Sequence, residues 1–508
     1  MIRWATLLLL GGCAATSVAG ERYATVNGRA LREPEAAAPL RTGEHALSLE
    51  EATVWALERS PDLAVQRLEP AAVEAFEAIE RAEFGATVFA DGQYRREVAV
   101  QTNRATMEQF SVEGTNTQAT AGVRQRIPTG TTLETTLGYQ RDESNRSPEQ
   151  QELRVGLTVT QSLLEGVRPE VNLARVRQAE LETRATRMQL QAFVLALLRD
   201  LEVAYWELAL AERRIAIVEG SLALAEREAE IVAARVEVGE LAPADQPVVQ
   251  AQVALRRQEL IDARAEAESA RLRVSRILGL DAGSSSVALT DAVAIEPVAV
   301  TGADDHRALA LRLRPDIREA QLRLEQRRLE TVVTANGLLP RLDVFVQLVK
   351  TGFGSSFAEA VGNLDERTHE MVIGLSFEQL LGNAAAEALD QQAALRREQA
   401  ERAVRNLETL AQLDVDLALV ELERARQQID ASRVRAELQQ RVVEAERARL
   451  EVGDGTALLL AQADNALLQA RIAEVEAQTA YRIALVRLYA AEGSLLERRG
   501  VQLGADAD

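Results

Sequence analysis

One cysteine occurs in 508 residues, at Cys13. A disulfide within the chain and a cysteine-based metal site are therefore both excluded. Aromatic residues make up 4% of the chain, too few to point to an aromatic-lined pocket. Lysine occurs once, as Lys350, so the basic side is almost all arginine, which gene base composition explains. Acidic residues outnumber basic ones 78 to 58, a net charge of −20. That balance disfavours nucleic acids and anionic membrane surfaces, which select basic patches. After the N-terminus no segment approaches the ~18 consecutive apolar residues of a membrane-spanning helix. If the chain crosses a membrane, it does so with β-strands. The three histidines, His45, His306 and His369, lie far apart and lack partners at metal-ligand spacing. They read as surface or packing residues. No catalytic set appears, so neither an enzyme nor a cofactor is expected.

Glycine and proline are also missing from two long stretches, and this is more informative. Arg168–Val238 has only Gly220, and Pro169 at its start; Asn383–Val452 has neither residue. Read as helices at 1.5 Å rise, each is roughly 100 Å long, against ~11–12 residues for an average helix. The first carries apolar residues spaced three, four, three, four: Val194, Leu197, Leu201, Ala204, Leu208, Ala211, Ile215, Val218, Leu222, Ala225, Ala229 and Val232. That is a coiled-coil seam. Tyr205 and Trp206 read as packing residues beside it. Gly239 and Gly453 end the two helices, as C-cap glycines do. A further helix follows each, about Ala244–Leu278 and Ala457–Ala491. Two antiparallel hairpins result, with tips at Gly239–Asp245 and Gly453–Thr456.

The chain is duplicated. Ser60-Pro61-Asp62-Leu63 and Arg314-Pro315-Asp316-Ile317 lie 254 residues apart, whereas Ala234–Glu240 matches Ala448–Asp454 at an offset of 214. The first copy thus holds forty extra residues ahead of its long helix. The period is too long for a solenoid. Ser48 and Glu51 form a capping box that opens a helix running to about Phe84, bent at Pro61 or Pro70. Segments of period two follow: Ala119–Ile127, Leu133–Tyr139 after a Pro128-Thr129-Gly130 turn, and Leu153–Thr160. Leu342–Leu348 and Met371–Phe377 repeat the pattern in the second copy, with Gly352–Asn363 read as an exposed loop between them. Such segments are the signature of membrane barrels. At least four strands are present, but the smallest membrane barrels have ~8, and open sheet edges do not occur in lipid. Several copies must therefore share one barrel, which the helices extend into a coiled-coil tube. The product is a conduit.

Met1–Cys13 has one positive charge, Arg3, a short apolar run, and Leu10-Gly11-Gly12-Cys13, which resembles a bacterial lipobox. Residues 1–12 read as a lipoprotein signal with Cys13 as the lipid attachment site; the alternative is ordinary cleavage after Ala19. Residue 14 is Ala, so nothing argues for inner-membrane retention. The expected organisation is an N-terminal arm at 13–45, a first repeat at 46–282 with strands about 87–162, a linker at 283–304, a second repeat at 305–496 with strands about 342–378, and a tail at 497–508.

From Leu47 to Leu496 the chain resembles the TolC-type outer-membrane factor family. The resemblance rests on Leu49-Glu50-Glu51-Ala52 with Ser60–Leu63, on Thr160-Gln161-Ser162-Leu163-Leu164, on both tips, and on Leu278-Gly279-Leu280 and Leu488–Gly493. It implies a mostly α fold with a membrane β portion: two repeats of strands plus long helical hairpins, forming a shared trimeric β-barrel and a periplasmic α-helical tunnel. It implies a homotrimer in the bacterial outer membrane, serving a periplasmic adaptor protein and an inner-membrane transporter as a passive exit duct for efflux or type I secretion. The tips would dock the adaptor, with Gly239, Glu240, Asp245, Gly453 and Asp454 at the tunnel mouth; plain helix-terminus chemistry explains the acids equally well. Three features depart from the family. Ser162 and Gln379 stand where it often has Pro, and Leu459 and Gln462 stand where it often has acids, leaving Asp245 to supply a gate. The forty extra residues suggest extra strands or a long loop, so the barrel has 12 strands or more. The competing readings are a periplasmic coiled-coil adaptor and a structural coiled coil without a barrel.

Overall fold

The computed structural model describes residues 24–27, 29–31, 43–102, 104, 106–280, 285–290, 302–365 and 367–503. The signal segment, Cys13, most of the arm and most of the linker lie outside the described residues.

The elements run in order as β1 (Ala24–Val26), β2 (Arg29–Ala30), β3 (Gly43–Leu47), α1 (Leu49–Arg59), α2 (Pro61–Gln66) and α3 (Leu68–Ala82). Four strands follow: β4 (Thr87–Thr102), β5 (Gln109–Ile127), β6 (Thr131–Ser144) and β7 (Gln150–Ser162). Then come α4 (Pro169–Asn172), α5 (Ala174–Glu237), α6 (Asp245–Ile277) and β8 (Ser285–Leu289). The second copy holds α7 (Ala303–Leu313), α8 (Pro315–Asn336), β9 (Arg341–Gly354), α9 (Phe357–Gly362), β10 (His369–Glu378), α10 (Ala384–Glu451) and α11 (Ala457–Ala491). The short α12 (Leu495–Arg498) and β11 (Val501–Leu503) close the chain.

Two compact units form, and each takes residues from both repeats. One unit, Glu69–Met188 with Ile317–Asn406, contains a six-stranded antiparallel sheet in the order β10-β9-β7-β6-β5-β4. β4 follows its helix as β9 follows α8, and β7 precedes its long helix as β10 does. The insertion in the first copy is therefore the β5–β6 hairpin, turning at Pro128–Gly130, where Gly130 has φ +77°. All five predicted strand segments lie inside strands of this sheet. The Gly352–Asn363 segment is not a loop. β9 continues to Gly354, and α9 folds back on it, capped by the Ser356 hydroxyl. Gly352 and Gly354 make this possible, because a Cβ at either would collide with the backbone of Ala360.

The other unit, Met1–Leu68 with Gln189–Asp316 and Leu407–Asp508, is built on the helices. Every position of the predicted α5 seam is buried or half-buried. Leu198, Glu202, Tyr205, Trp206 and Ala209 are buried too, so the middle of α5 buries more than the narrow stripe its spacing suggested. Tyr205 and Trp206 meet edge to face at 5.4 Å, and the Tyr205 hydroxyl donates to the Leu47 carbonyl at 3.2 Å. Ser48 and Glu51 form the capping box, with Ser48 N–H donating to the Glu51 carboxylate at 2.9 Å. The helix predicted to reach Phe84 is three helices. It stops at Ser60, because Pro61 excludes a helical Ser60 and serves as the first residue of α2. It breaks again at Arg67, and Pro70 sits harmlessly in the first turn of α3. The first long helix likewise breaks once, at Leu173. His306 is a packing residue, buried and hydrogen-bonded to the buried Glu492.

Candidate functional site

Register fixes two different faces on the sheet. In the strand pairings Leu137 lies opposite Ala121 and Val155, Leu157 opposite Thr135 and Leu348, and Val346 opposite Ile373. One face therefore presents Val88, Ala90, Leu133, Leu137, Tyr139, Leu153, Val155, Leu157, Val159, Val344, Val346, Leu348, Met371, Ile373, Leu375 and Phe377, with Arg141, Lys350 and His369 toward one end of the strands. The opposite face is mostly polar, with Gln118, Thr120, Glu134, Gln140, Asp142, Glu152, Arg154, Thr158, Gln347 and Ser376, and carries Phe89, Phe345, Val349 and Val372 among them. Ion pairs and amide bonds cross that polar face, such as Arg124–Glu134 at 2.6 Å and Gln118–Gln140 at 3.3 Å. The apolar face is not covered: Ile373 is 64% exposed, Leu375 71% and Phe377 66%. A contiguous apolar face of this kind needs a partner or a lipid phase. Among the described residues, the two edge strands of the sheet, β4 and β10, have no strand partner on their outer side.

Ser162 stands where the resemblance leads one to expect proline, and the structure gives the reason. Its N–H donates to the Gly130 carbonyl at 3.0 Å, and its hydroxyl donates to Asp343 at 2.8 Å. The inserted hairpin uses an N–H that proline lacks.

The two tips, in the helical unit, repeat one geometry. At the first, Gly239 N–H donates to Val236 O at 3.1 Å and Glu240 N–H to Arg235 O at 2.9 Å, with Gly239 at φ +83°. At the second, Gly453 N–H donates to Leu450 O at 3.3 Å and Asp454 N–H to Arg449 O at 2.9 Å, with Gly453 at φ +79°. Each is a Schellman cap. Val238 and Val452, just before the glycines, are 71% and 80% exposed. Of the acids, Glu240 is held by Arg235 at 3.1 Å, Asp245 opens α6 half-buried, and Asp454 is exposed. Leu241 ties the tips together, packing against the cluster that holds Val232 and Val249 on one side and the cluster that holds Leu450 and Leu460 on the other. Arg235 adds a bond to the Leu450 carbonyl at 3.4 Å. Leu459 and Gln462 are exposed and uncharged.

Sequence reasoning missed a buried charge cluster next to the tips. Arg256 of α6 is 1% exposed and bonds Glu259 at 2.6 Å and Asn465 at 3.1 Å. Arg447 of α10 bonds Glu228 of α5 at 2.6 Å. Asp464 of α11 faces Glu228 with both carboxyl oxygens buried. Burial, reinforced by the Glu228 charge, pushes the Asp464 carboxyl up to about 7. The visible signal was an Asp on a helix whose mean composition is apolar, between Ala463 and Leu467, both of which are buried.

A family model described as outer membrane efflux protein matches residues 118–280 and 307–494. The chain belongs to that family. Among solved structures, the outer-membrane channel OprN is 18% identical, with a TM-score of 0.65, 88% of this chain and 90% of that chain covered. VceC of Vibrio cholerae is 16% identical at a TM-score of 0.64, covering 88% and 96%. CmeC of Campylobacter jejuni is 15% identical at 0.63, covering 88% and 86%. No curated protein matches by sequence. As an outer membrane efflux protein the chain has the expected fold class, mostly helical with a β-sheet that a single copy leaves open. The apolar face of that sheet is the surface such a barrel presents to lipid, and the polar face is the one it presents to water.

Proposed function

We propose that this protein is the exit duct of a tripartite efflux or type I secretion system, a passive conduit from periplasm to exterior. A homotrimer would share one barrel in the outer membrane, anchored further by acyl chains on Cys13. A periplasmic adaptor would dock at the helical tips and open them, and an inner-membrane transporter would supply the energy. One observation carries this reading. Among the described residues, the six-stranded sheet has one largely apolar face, one largely polar face and two unpaired edges, which only closure with other copies resolves in lipid. A second stripe on α10 supports it: Leu410, Leu413, Leu417 and Val420 keep three-four spacing yet are 44–68% exposed, a seam without a partner helix in the single chain. Gly239 and Gly453 favour the tips as moving parts, since the caps are exposed and free of packing on the glycines.

The test is conductance. Purified protein placed in planar lipid bilayers is expected to form ion-conducting pores without nucleotide. A protein of correct mass that never conducts, even after its tips are loosened by Arg235→Ala and Leu241→Ala, overturns the conduit.

A further inference from the structure

We propose that β4 of one copy pairs with β10 of the next, so that three copies of six strands close a barrel of 18. This rests on the trimeric conduit proposed above and fixes what that reading leaves open, the strand number and the seam between copies.

Three observations carry it. The first is parity. The insertion in the first copy is a whole hairpin, β5–β6, and it is fully paired on both sides. It adds two strands and leaves the alternation of strand direction unchanged. β4 and β10 therefore run in opposite directions and meet antiparallel, as closed membrane barrels require. The second is the stagger of the apolar band. Following the pairing from Thr87 on β4 through Arg124, Glu134, Thr158 and Gln347 arrives at Val372 on β10. The apolar band on β4 is Val88, Ala90, Gly92 and Tyr94, above that line; on β10 it is Met371, Ile373, Leu375 and Phe377, which reaches below it. The band slips by six residues across one copy, from Val372 to Glu378. Pairing Val88 with Phe377 and Tyr94 with Met371 of the next copy makes the band continuous. It also keeps the band residues of both strands on one face, which a slip of one residue would not.

The third is the strand tilt that follows. A slip of six residues per six strands, at ~3.3 Å per residue and ~4.8 Å per strand, inclines the strands by roughly 35°. Membrane barrels are tilted by ~35–45°. The same register that matches the lipid band thus gives a barrel that closes. Width grows about linearly with strand number, so this barrel is roughly half again as wide as one built without the β5–β6 hairpin.

The experiment is disulfide trapping in the full chain, with oligomeric mass read first by native mass spectrometry. Ala90→Cys combined with Leu375→Cys is expected to yield covalent trimers on non-reducing gels, reversed by reductant, while each single variant yields none. Ala90→Cys with Phe377→Cys tests the register slipped by two residues, and a covalent trimer there retains the 18-strand barrel with a steeper tilt. Ala90→Cys with Val155→Cys tests the alternative in which β5–β6 is expelled and β4 pairs with β7. In this structure two strands separate that pair. A trimer by mass that gives this intrachain disulfide, or gives no covalent trimer with either β10 partner, overturns the proposal and leaves the conduit standing. A monomer by mass overturns the conduit itself.

Discussion

Gly453 and Gly239 hold a left-handed backbone with open space around them, so their replacement has a purely conformational cost. Gly453→Ala is expected to destabilise the tip by roughly 1–2 kcal/mol, seen as faster hydrogen exchange confined to the amides of Leu450–Thr456. Gly220 makes the opposite case. It sits inside α5 with nothing nearby, and Gly220→Ala is expected to stabilise by ~0.5–1 kcal/mol in chemical denaturation. Both effects are legible in the sequence, because they depend on local backbone alone. Asp464 is not. Its carboxyl keeps its proton up to about pH 7 in the folded chain, against ~3.9 unfolded. The folded state therefore binds more protons between those values. The stability contribution is complete below pH ~4 and is lost as pH rises through 7. Thermal melts of wild type and Asp464→Asn at pH 5 and pH 8 should show a larger fall for the wild type; equal falls would show that Asp464 is ionised throughout.

At the scale of elements, the sheet and α10 make separate predictions. On β10, Ile373 faces lipid in the proposed barrel while Ser376 faces water. Ile373→Lys is expected to cost ~2–4 kcal/mol near the bilayer midplane, and Ser376→Lys much less, as read from urea unfolding in lipid vesicles. Equal costs would remove the assignment of faces. On α10, Leu413→Glu with Leu417→Glu charges the unpartnered stripe. The chain should keep its helical circular dichroism but run as a monomer, because the residues buried within one copy, Val415 and Leu422, are untouched. At the tips, Leu241 and Leu460 pack in one cluster. A disulfide between Leu241→Cys and Leu460→Cys is expected to abolish transport until reduced. Period two and heptad spacing announced these elements directly. The short helix α9 is not announced in this way, since Gly and Ser suggest a loop unless the close backbone approach at Gly352 is known.

For the whole molecule, the sequence offsets carried more than any motif. The fall from 254 to 214 residues between repeats located an insertion before the long helix, and the fold shows it as one hairpin within the sheet. The mature protein purified from outer membranes is expected to begin at Cys13 with acyl chains, detected as added mass on the N-terminal peptide. A peptide beginning at Gly20 without lipid would show ordinary cleavage and leave the conduit unaffected.

The sequence alone determined the long helices, their capped tips, the seam of α5, the duplication and the presence of membrane-type strands. Each is written in local spacing, which propensity and periodicity report without knowledge of the partner. Tertiary structure decided the strand order, the breaks at Leu173 and Arg67, the burial of Asp464 beside Glu228, and the faces on which each strand presents its apolar residues as one band. These depend on which segments distant in the chain lie side by side, and register between such segments is set by packing and backbone pairing that no single segment contains.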